Sequence, residues 1–365
     1  DVEPPQGISL KAIPKVTGVG PPPEVIDVCS WVAHRWAGRL APLLASASAD
    51  RAVAGVPAIG VAPAEAVRPR TPGTGDIAAS ATEAFDLAER HGVATLRLAP
   101  ALDPLPVVLE ALRHAPALVL VPAHRTVRAL QRGIGAHGGR IAVLPDGWAA
   151  ARAGRSALGM RRAALAPVPR PGAVVVIDEH DRRFQEERAP TWHAREVALE
   201  RARRAGAPCV LVSPAPSLEA LAAGPLVTLG RTAERDGWPA LDVVDQRRED
   251  PLGNPMVSER LAGYLRSGAT VLCVLNRKGR ARLLACLACR ELARCERCEA
   301  AMVADTAGAL RCGLCGTERP MVCQACGATR LRVVRPGGSR LARDLTHLTG
   351  HEVPEVTAGA TRLPD

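Results

Sequence analysis

Lysine and aromatic side chains are almost absent from this chain. Its 365 residues hold three lysines (Lys11, Lys15 and Lys278), five Trp, two Phe and one Tyr. None of the lysines follows a glycine, so there is no Gly-Lys pair anywhere. The phosphate loop of a nucleotide-driven motor needs glycine amides to cradle the phosphates and a lysine to reach them. Where such a loop would fall, Thr95 to Leu105 has no glycine and two prolines, so ATP is not an expected cofactor. With so few aromatics the cores must be built from Ala, Val and Leu, and Trp31 and Trp36 read as packing residues rather than a base-stacking platform. No apolar run approaches the ~18 residues needed to cross a bilayer, and no signal peptide opens the chain. A cytoplasmic protein without a membrane partner is expected.

Cysteine, by contrast, is concentrated in one place. Eight of the eleven cysteines lie between Cys286 and Cys326, in four Cys-x-x-Cys knuckles: Cys286/Cys289, Cys295/Cys298, Cys312/Cys315 and Cys323/Cys326. Four thiolates in a tetrahedron are what structural zinc prefers, and two intervening residues let one tight turn offer both sulfurs. Four knuckles therefore fill two sites. A disulfide framework suits small secreted domains instead. Three pairings of the knuckles are possible. Five residues between the first two leave little chain to fold back, whereas thirteen between the second and third allow a hairpin. The nested pairing is favoured, with Cys295, Cys298, Cys312 and Cys315 inside and Cys286, Cys289, Cys323 and Cys326 outside. Neither site leaves a ligand position open, so both zinc ions would hold shape and not activate water.

The net charge is +10, which favours an anionic partner. From Arg277 to Arg343 there are fourteen basic and five acidic residues. Eight thiolates with two Zn²⁺ reduce that surplus without removing it. Arg277, Lys278, Arg280 and Arg282 enter the cysteine segment directly and are the candidate contacts to that partner, which the resemblance described below makes DNA.

Alternating strands and helices from about residue 86 predict an α/β fold with parallel-sheet lobes. Strands are expected at Ala117–Pro122, Ile141–Leu144, Ala173–Asp178, Cys209–Ser213, Pro225–Leu229, Leu241–Val244, Ala269–Leu275 and Leu331–Val334, and a looser one at Ile8–Val16. Helices are expected at Glu24–Leu44, His124–His137, His193–Ala205, Ser217–Ala223, Ser258–Arg266 and Ser339–Leu348. The Ala/Pro/Gly-rich stretch 46–85 reads as a linker. The acidic cluster Asp178, Glu179, His180 and Asp181 at a strand end has the form of a magnesium-binding motif, but without a lysine-bearing loop it reads as a polar strand cap. Gly133, Gly135 and Gly138 match G-x-G-x-x-G, at the end of a helix where no dinucleotide site belongs. Cys209 and Cys273 fall in strands and read as core; no Ser/His/Asp arrangement stands out.

At Leu275-Asn276-Arg277-Lys278-Gly279 and the eight cysteines the sequence resembles the bacterial primosomal protein PriA family of replication restart helicases. Gly337-Gly338-Ser339-Arg340 is similar to that family's G-T-E-R segment. Asp178-Glu179-His180-Asp181 resembles its D-E-E-H-D motif, one residue short; Thr191 to Glu196 resembles its Y-H-A-R-D segment, and Ser213 to Glu219 its S-A-T-P-S-L-E motif. The resemblance implies the nested pairing of cysteines and degenerate RecA-like lobes carrying a two-zinc insertion. It implies a remnant of an N-terminal DNA-binding domain over 1–45, lobe 1 over 86–224, and lobe 2 starting at 225–285 and continuing, incomplete, over 327–365. The shortened acidic motif and the missing phosphate loop are similar to the actinobacterial branch, described as lacking helicase activity. A partial chain or a reduced paralogue is expected. The function so implied is binding of forked or single-strand-containing DNA and assembly of the primosome with its replication proteins, without ATP hydrolysis. The alternatives are an active ATP-dependent 3′-5′ helicase and a zinc-ribbon protein of RNA metabolism or transcription.

Overall fold

The computed structural model describes residues 18–57, 75–245, 257–274, 284–304, 308–333 and 338–356. It divides into two units, Asp1–Ala240 and Leu241–Asp365.

The first unit is a parallel sheet covered on both faces. Its strands are β1 (Val93–Arg97), β2 (Ala117–Leu120), β3 (Ala142–Val143), β4 (Ala157–Gly159), β5 (Ala173–Ile177), β6 (Cys209–Ser213) and β7 (Leu226–Thr228). They lie in the order β3-β4-β2-β5-β6-β1-β7, every pair parallel. In β2, β5 and β6 every residue is buried, which is why these strands read as unbroken apolar runs and not as alternations.

One face is covered by α1 (Pro23–Arg35), α2 (Leu40–Ala47) and α7 (Ala194–Ala205), the other by α3 (Gly75–His91), α4 (Leu105–Arg113) and α5 (His124–Ala136). The short helices α6 (Trp148–Arg152), α8 (Leu218–Ala223) and α9 (Arg231–Gly237) belong to the same unit. This is a RecA-like lobe.

Several sequence expectations need correction here. The helix expected over Glu24–Leu44 is two helices, broken where Ala37 takes φ 47°. Trp31 and Trp36 meet edge to face at 5.6 Å and pack on the core. The linker expected over 46–85 contains most of α3. Ile77, Ala81, Ala84, Phe85 and Ala88 are buried at helical spacing, an alanine stripe that composition alone presents as low complexity. Residues 225–229 do not open a second lobe. Leu226 to Thr228 pair with Thr95 to Arg97 at the sheet edge, so the first unit runs to Ala240.

Among the described residues the second unit holds α10 (Glu259–Arg266), α11 (Gly338–Thr349) and five short strands. Strand β8 (Leu284–Cys286) pairs antiparallel with β12 (Leu331–Val333), and these two close the base of the cysteine module. Strands β9 (Met302–Ala304), β10 (Ala309–Cys312) and β11 (Glu318–Pro320) form an antiparallel sheet inside it. The strands expected at Leu241–Val244 and Ala269–Leu275 are not formed among the described residues. Their side chains have a strand's composition, but Leu241, Val243, Leu272 and Val274 are more than 80% exposed. A strand requires a neighbour for its amides and carbonyls, and no described segment provides one. The expected strand at Ile8–Val16 lies outside the described residues.

Candidate metal centres and a crevice without a phosphate loop

The four knuckles are four copies of one backbone device. In each, the amide four residues after the first cysteine donates to that cysteine's carbonyl: Arg290 to Cys286 at 3.1 Å, Glu299 to Cys295 at 2.9 Å, Gly316 to Cys312 at 3.1 Å and Gly327 to Cys323 at 2.9 Å. The first cysteine's own amide donates to the carbonyl five residues on, at Glu291, Ala300, Thr317 and Ala328. The turn closes only if the residue after the second cysteine is left-handed, and φ is 65° at Arg290, 57° at Glu299, 75° at Gly316 and 73° at Gly327. Both cysteine side chains of each knuckle then face one point.

The sulfurs gather into two quartets, Cys286/Cys289/Cys323/Cys326 and Cys295/Cys298/Cys312/Cys315, each with all atoms within 4.8 Å of one another. Neighbouring sulfurs approach to 3.5 Å: Cys286 to Cys326, Cys289 to Cys323, Cys295 to Cys315 and Cys298 to Cys312. A tetrahedron with metal–sulfur bonds of about 2.3 Å separates its sulfurs by about 3.8 Å, so each quartet fits a four-thiolate ion with no open position. The Thr317 hydroxyl lies 3.1 Å from the Cys315 sulfur, where it supports that ligand from outside the quartet.

The carboxyl ends of the adjacent parallel strands β5, β6 and β1 lie where a RecA-like lobe would hold nucleotide. The loop after β1 cannot cradle phosphate. Pro100 and Pro104 have no N–H, Leu98 donates to the Ser213 carbonyl at 3.1 Å, Ala101 to Gly237 at 3.1 Å, and Leu102 to Ala99 at 3.0 Å. The Leu105 amide at the start of α4 is held at 2.9 Å by the Asp103 carboxylate, which adds a negative charge where an anion would sit.

The acidic cluster after β5 divides into four separate roles. Asp178 is left-handed at φ 53°; burial pushes its carboxyl up from the ordinary value, against the opposing charges of His180, Arg183 and Arg125. Glu179 is fully buried and turned into the protein. It accepts from Arg195 Nη1 at 2.7 Å, from the Ser217 amide at 2.7 Å and from the Ser217 hydroxyl at 2.8 Å. For Arg195, burial opposes the charge, but Glu179 and Glu196 more than offset it and hold its pKa above the usual arginine value. His180 Nδ1 lies 2.7 Å from the Ser213 hydroxyl. Asp181 caps the turn over Arg182–Phe184, accepting from the Arg183 amide and guanidinium. Burial works against its charge, and those Arg183 bonds outweigh it and hold its pKa low.

No family model matches the chain. Among curated proteins it is 33% identical over 282 residues to the probable replication restart protein PriA of Mycobacterium tuberculosis strain H37Rv, covering 68% of this chain and 40% of that protein. It is 28% identical over 255 residues to the replication restart protein PriA of Bacillus subtilis strain 168, covering 63% and 32%. With its Mycobacterium leprae counterpart it shares 30% identity over 305 residues, 78% of this chain and 45% of the relative. The chain belongs to the PriA replication restart protein family. It spans less than half the length of these relatives.

Seen as a PriA-family lobe, the structure joins segments that are scattered in sequence. The motif around Asp178, the Thr191–Glu196 segment and the Ser213–Glu219 segment meet through Glu179, Arg195, Ser217, His180 and Ser213. The functional weight of Arg195 and Ser217 is not legible in sequence, except that both fall in the segments carrying the family resemblance. The left-handed positions after each knuckle are also hidden there, although glycine at 316 and 327 hints at two of them. The G-x-G-x-x-G match is a packing feature: a Cβ on Gly133 would stand 2.7 Å from Leu105, and Gly138 ends the helix region at φ 77°. Arg277, Lys278, Arg280 and Arg282 lie outside the described residues. No helix among the described residues is long and apolar enough to cross a membrane.

Proposed function

We propose that this chain acts in replication restart as a DNA-binding protein that recognises forked or single-strand-containing DNA and recruits primosome proteins, without hydrolysing ATP. The observation that carries the ATP-independent part is the loop after β1: it has no glycine and no lysine, Pro100 and Pro104 have no N–H, and the amides of Leu98, Ala101, Leu102 and Leu105 are bonded within the protein. The catalytic glutamate of a motor must be free to position water, whereas Glu179 is held by Arg195 and Ser217. Family membership supports the DNA and primosome parts, and the basic surplus from Arg277 to Arg343 supports an anionic partner. Both Cys₄ sites take zinc in this reading, the ion best suited to four thiolates in a reducing cytoplasm. When bound, zinc supplies cross-links that fold the module.

The test is fork binding measured with and without ATP, alongside labelled-ATP binding and fork-stimulated hydrolysis. Fork binding that is independent of ATP, with no hydrolysis above background, is expected. Fork-stimulated hydrolysis abolished by Asp178→Ala or Glu179→Ala in variants that remain folded would establish an active motor instead. For the Arg277, Lys278, Arg280 and Arg282 stretch, the variant Lys278→Ala/Arg280→Ala/Arg282→Ala is expected to bind forks more weakly with a shallower salt dependence, by about one unit for every phosphate no longer neutralised. An unchanged slope would place the DNA surface elsewhere.

A further inference from the structure

Helix α5 has two faces of opposite character. Val127, Leu130 and Ile134 are buried against the sheet. Arg125, Arg128 and Arg132 are exposed. At 3.6 residues per turn the three arginines fall within about 60° of one another and about 160° round the helix from the buried stripe. The helix has no acidic residue. Among the described residues none of the three arginines stands within ion-pair distance of a carboxylate. Arg125 influences Asp178 through longer-range charge alone, and Arg132 donates only a long bond to the Arg128 carbonyl, at 3.4 Å.

The other arginine-rich helix makes the contrast. On α7, Arg195 is paired with Glu179 and Glu196, and Arg203 and Arg204 with Glu200. Arg201 is buried on three carbonyls. That helix has no available guanidinium row, although it is richer in arginine. Helix α5 is the outer helix of its layer, packed against α4 and β4, so its arginine face has no covering element within the described unit.

We infer that the Arg125–Arg128–Arg132 face of α5 is a phosphate track for a single DNA strand. This rests on the DNA-binding reading above and assigns it a surface on the first unit, separate from the cysteine module. Guanidinium forks match phosphate oxygens two at a time. Rises of about 4.5 and 6 Å between the arginines span about 10 Å of helix, so the three guanidiniums are spaced to meet successive phosphates of one strand. The same face presents Ala129, Gly135 and Ala136 and no large apolar anchor, whereas helix-face recognition of a peptide requires apolar anchors. Charge alone is on offer, so the surface carries no base preference.

The experiment uses the full chain, a dT oligonucleotide and a fork across a salt series, with Arg125→Ala/Arg128→Ala/Arg132→Ala, the Glu triple variant and single Arg128→Ala. Each single-strand phosphate left without its arginine lowers the salt slope by about 0.7. The alanine triple should be shallower by about 2 and Arg128→Ala by about 0.7, and the Glu triple should bind about ten-fold more weakly or worse. Circular dichroism and zinc content should stay as in the wild type. Wild-type affinity and slope in the folded variants would overturn the α5 track while leaving the DNA-binding reading intact. Failure of the wild type to bind either DNA would overturn both. Competition by polyglutamate as effective as dT of equal charge would show a generic anion face and overturn the assignment to nucleic acid.

Discussion

Arg195 Nη1 donates to Glu179 Oε2 at 2.7 Å, with the arginine side chain 8% exposed and the glutamate fully buried. The same carboxylate holds the amide and hydroxyl of Ser217, and the Ser217 hydroxyl in turn caps α8 at Ala220. One side chain therefore ties the end of β5 to the starts of α7 and α8. Removing one partner of a buried pair leaves an uncompensated charge, at about 3–5 kcal/mol. Glu179→Ala should lower the stability of the first unit by that order, and Arg195→Ala by a similar amount. Urea unfolding followed by tryptophan fluorescence checks this. A loss below about 1 kcal/mol would show that the pair does not organise the crevice.

Asp178 carries a penalty that one substitution relieves. Its φ of 53° is one that Asp and Asn both tolerate, but burial raises its carboxyl pKa. A raised folded pKa means that this group's stabilising contribution is present at acid pH and is lost as pH rises through the folded value. Asp178→Asn should therefore raise stability at neutral pH. The advantage over wild type should shrink as pH falls through the carboxyl range. Thermal midpoints of the two proteins across that range give the answer, and an advantage that grew on acidification would contradict the desolvation argument.

The knuckles predict a glycine asymmetry. Arg290 and Glu299 occupy the left-handed position that Gly316 and Gly327 fill in the other two turns. A side chain there costs roughly 1–2 kcal/mol. Arg290→Gly and Glu299→Gly should make zinc harder to remove with a chelator, and Gly316→Ala and Gly327→Ala should make it easier. Zinc release by competition reads this directly. In the same assay Cys295→Ser should give one zinc per chain where the wild type should give two, since four thiolates form each quartet.

How much of this is legible in sequence depends on where the information lies. The cysteine quartets can be read because ligand spacing is local and each knuckle is its own turn. Strands β5 and β6 can be read because burial on both faces forces a continuous apolar run. Helix α3 cannot, because alanines at helical spacing and alanines in a linker have the same composition. The assignment of β7 to the first sheet is also hidden, since only Val227 of its three residues is buried. The segment around Leu272 and Val274 fails in the opposite way: its residues prefer a strand, but pairing depends on a neighbour that no described residue supplies. Glu179 falls in a cluster with the form of a magnesium-binding motif, and its inward turn onto Arg195 and Ser217 is hidden because a motif records residue types and not the direction of a side chain.

Arg201 is the buried charge with the least compensation. It is 3% exposed and donates to the carbonyls of Ala164 at 3.2 Å, Ala166 at 2.9 Å and Val168, with no carboxylate among these partners. Burial pushes its pKa down to about 10, eased slightly by the nearby Cys29 thiol on α1. Its stabilising role is thus the planar fork, which gathers three carbonyls of the segment after β4 onto α7. A buried carbonyl left without a donor costs about 1–3 kcal/mol, so Arg201→Ala should destabilise the first unit by about 3 kcal/mol or more. Arg201→Lys should not restore it, because a single ammonium cannot reproduce the fork. All five tryptophans lie before residue 240, so tryptophan fluorescence in urea reports this unit and zinc release reports the other. The expected result is a lower urea midpoint for both variants with zinc release unchanged. Full recovery by lysine would show that charge, and not geometry, is what the three carbonyls require.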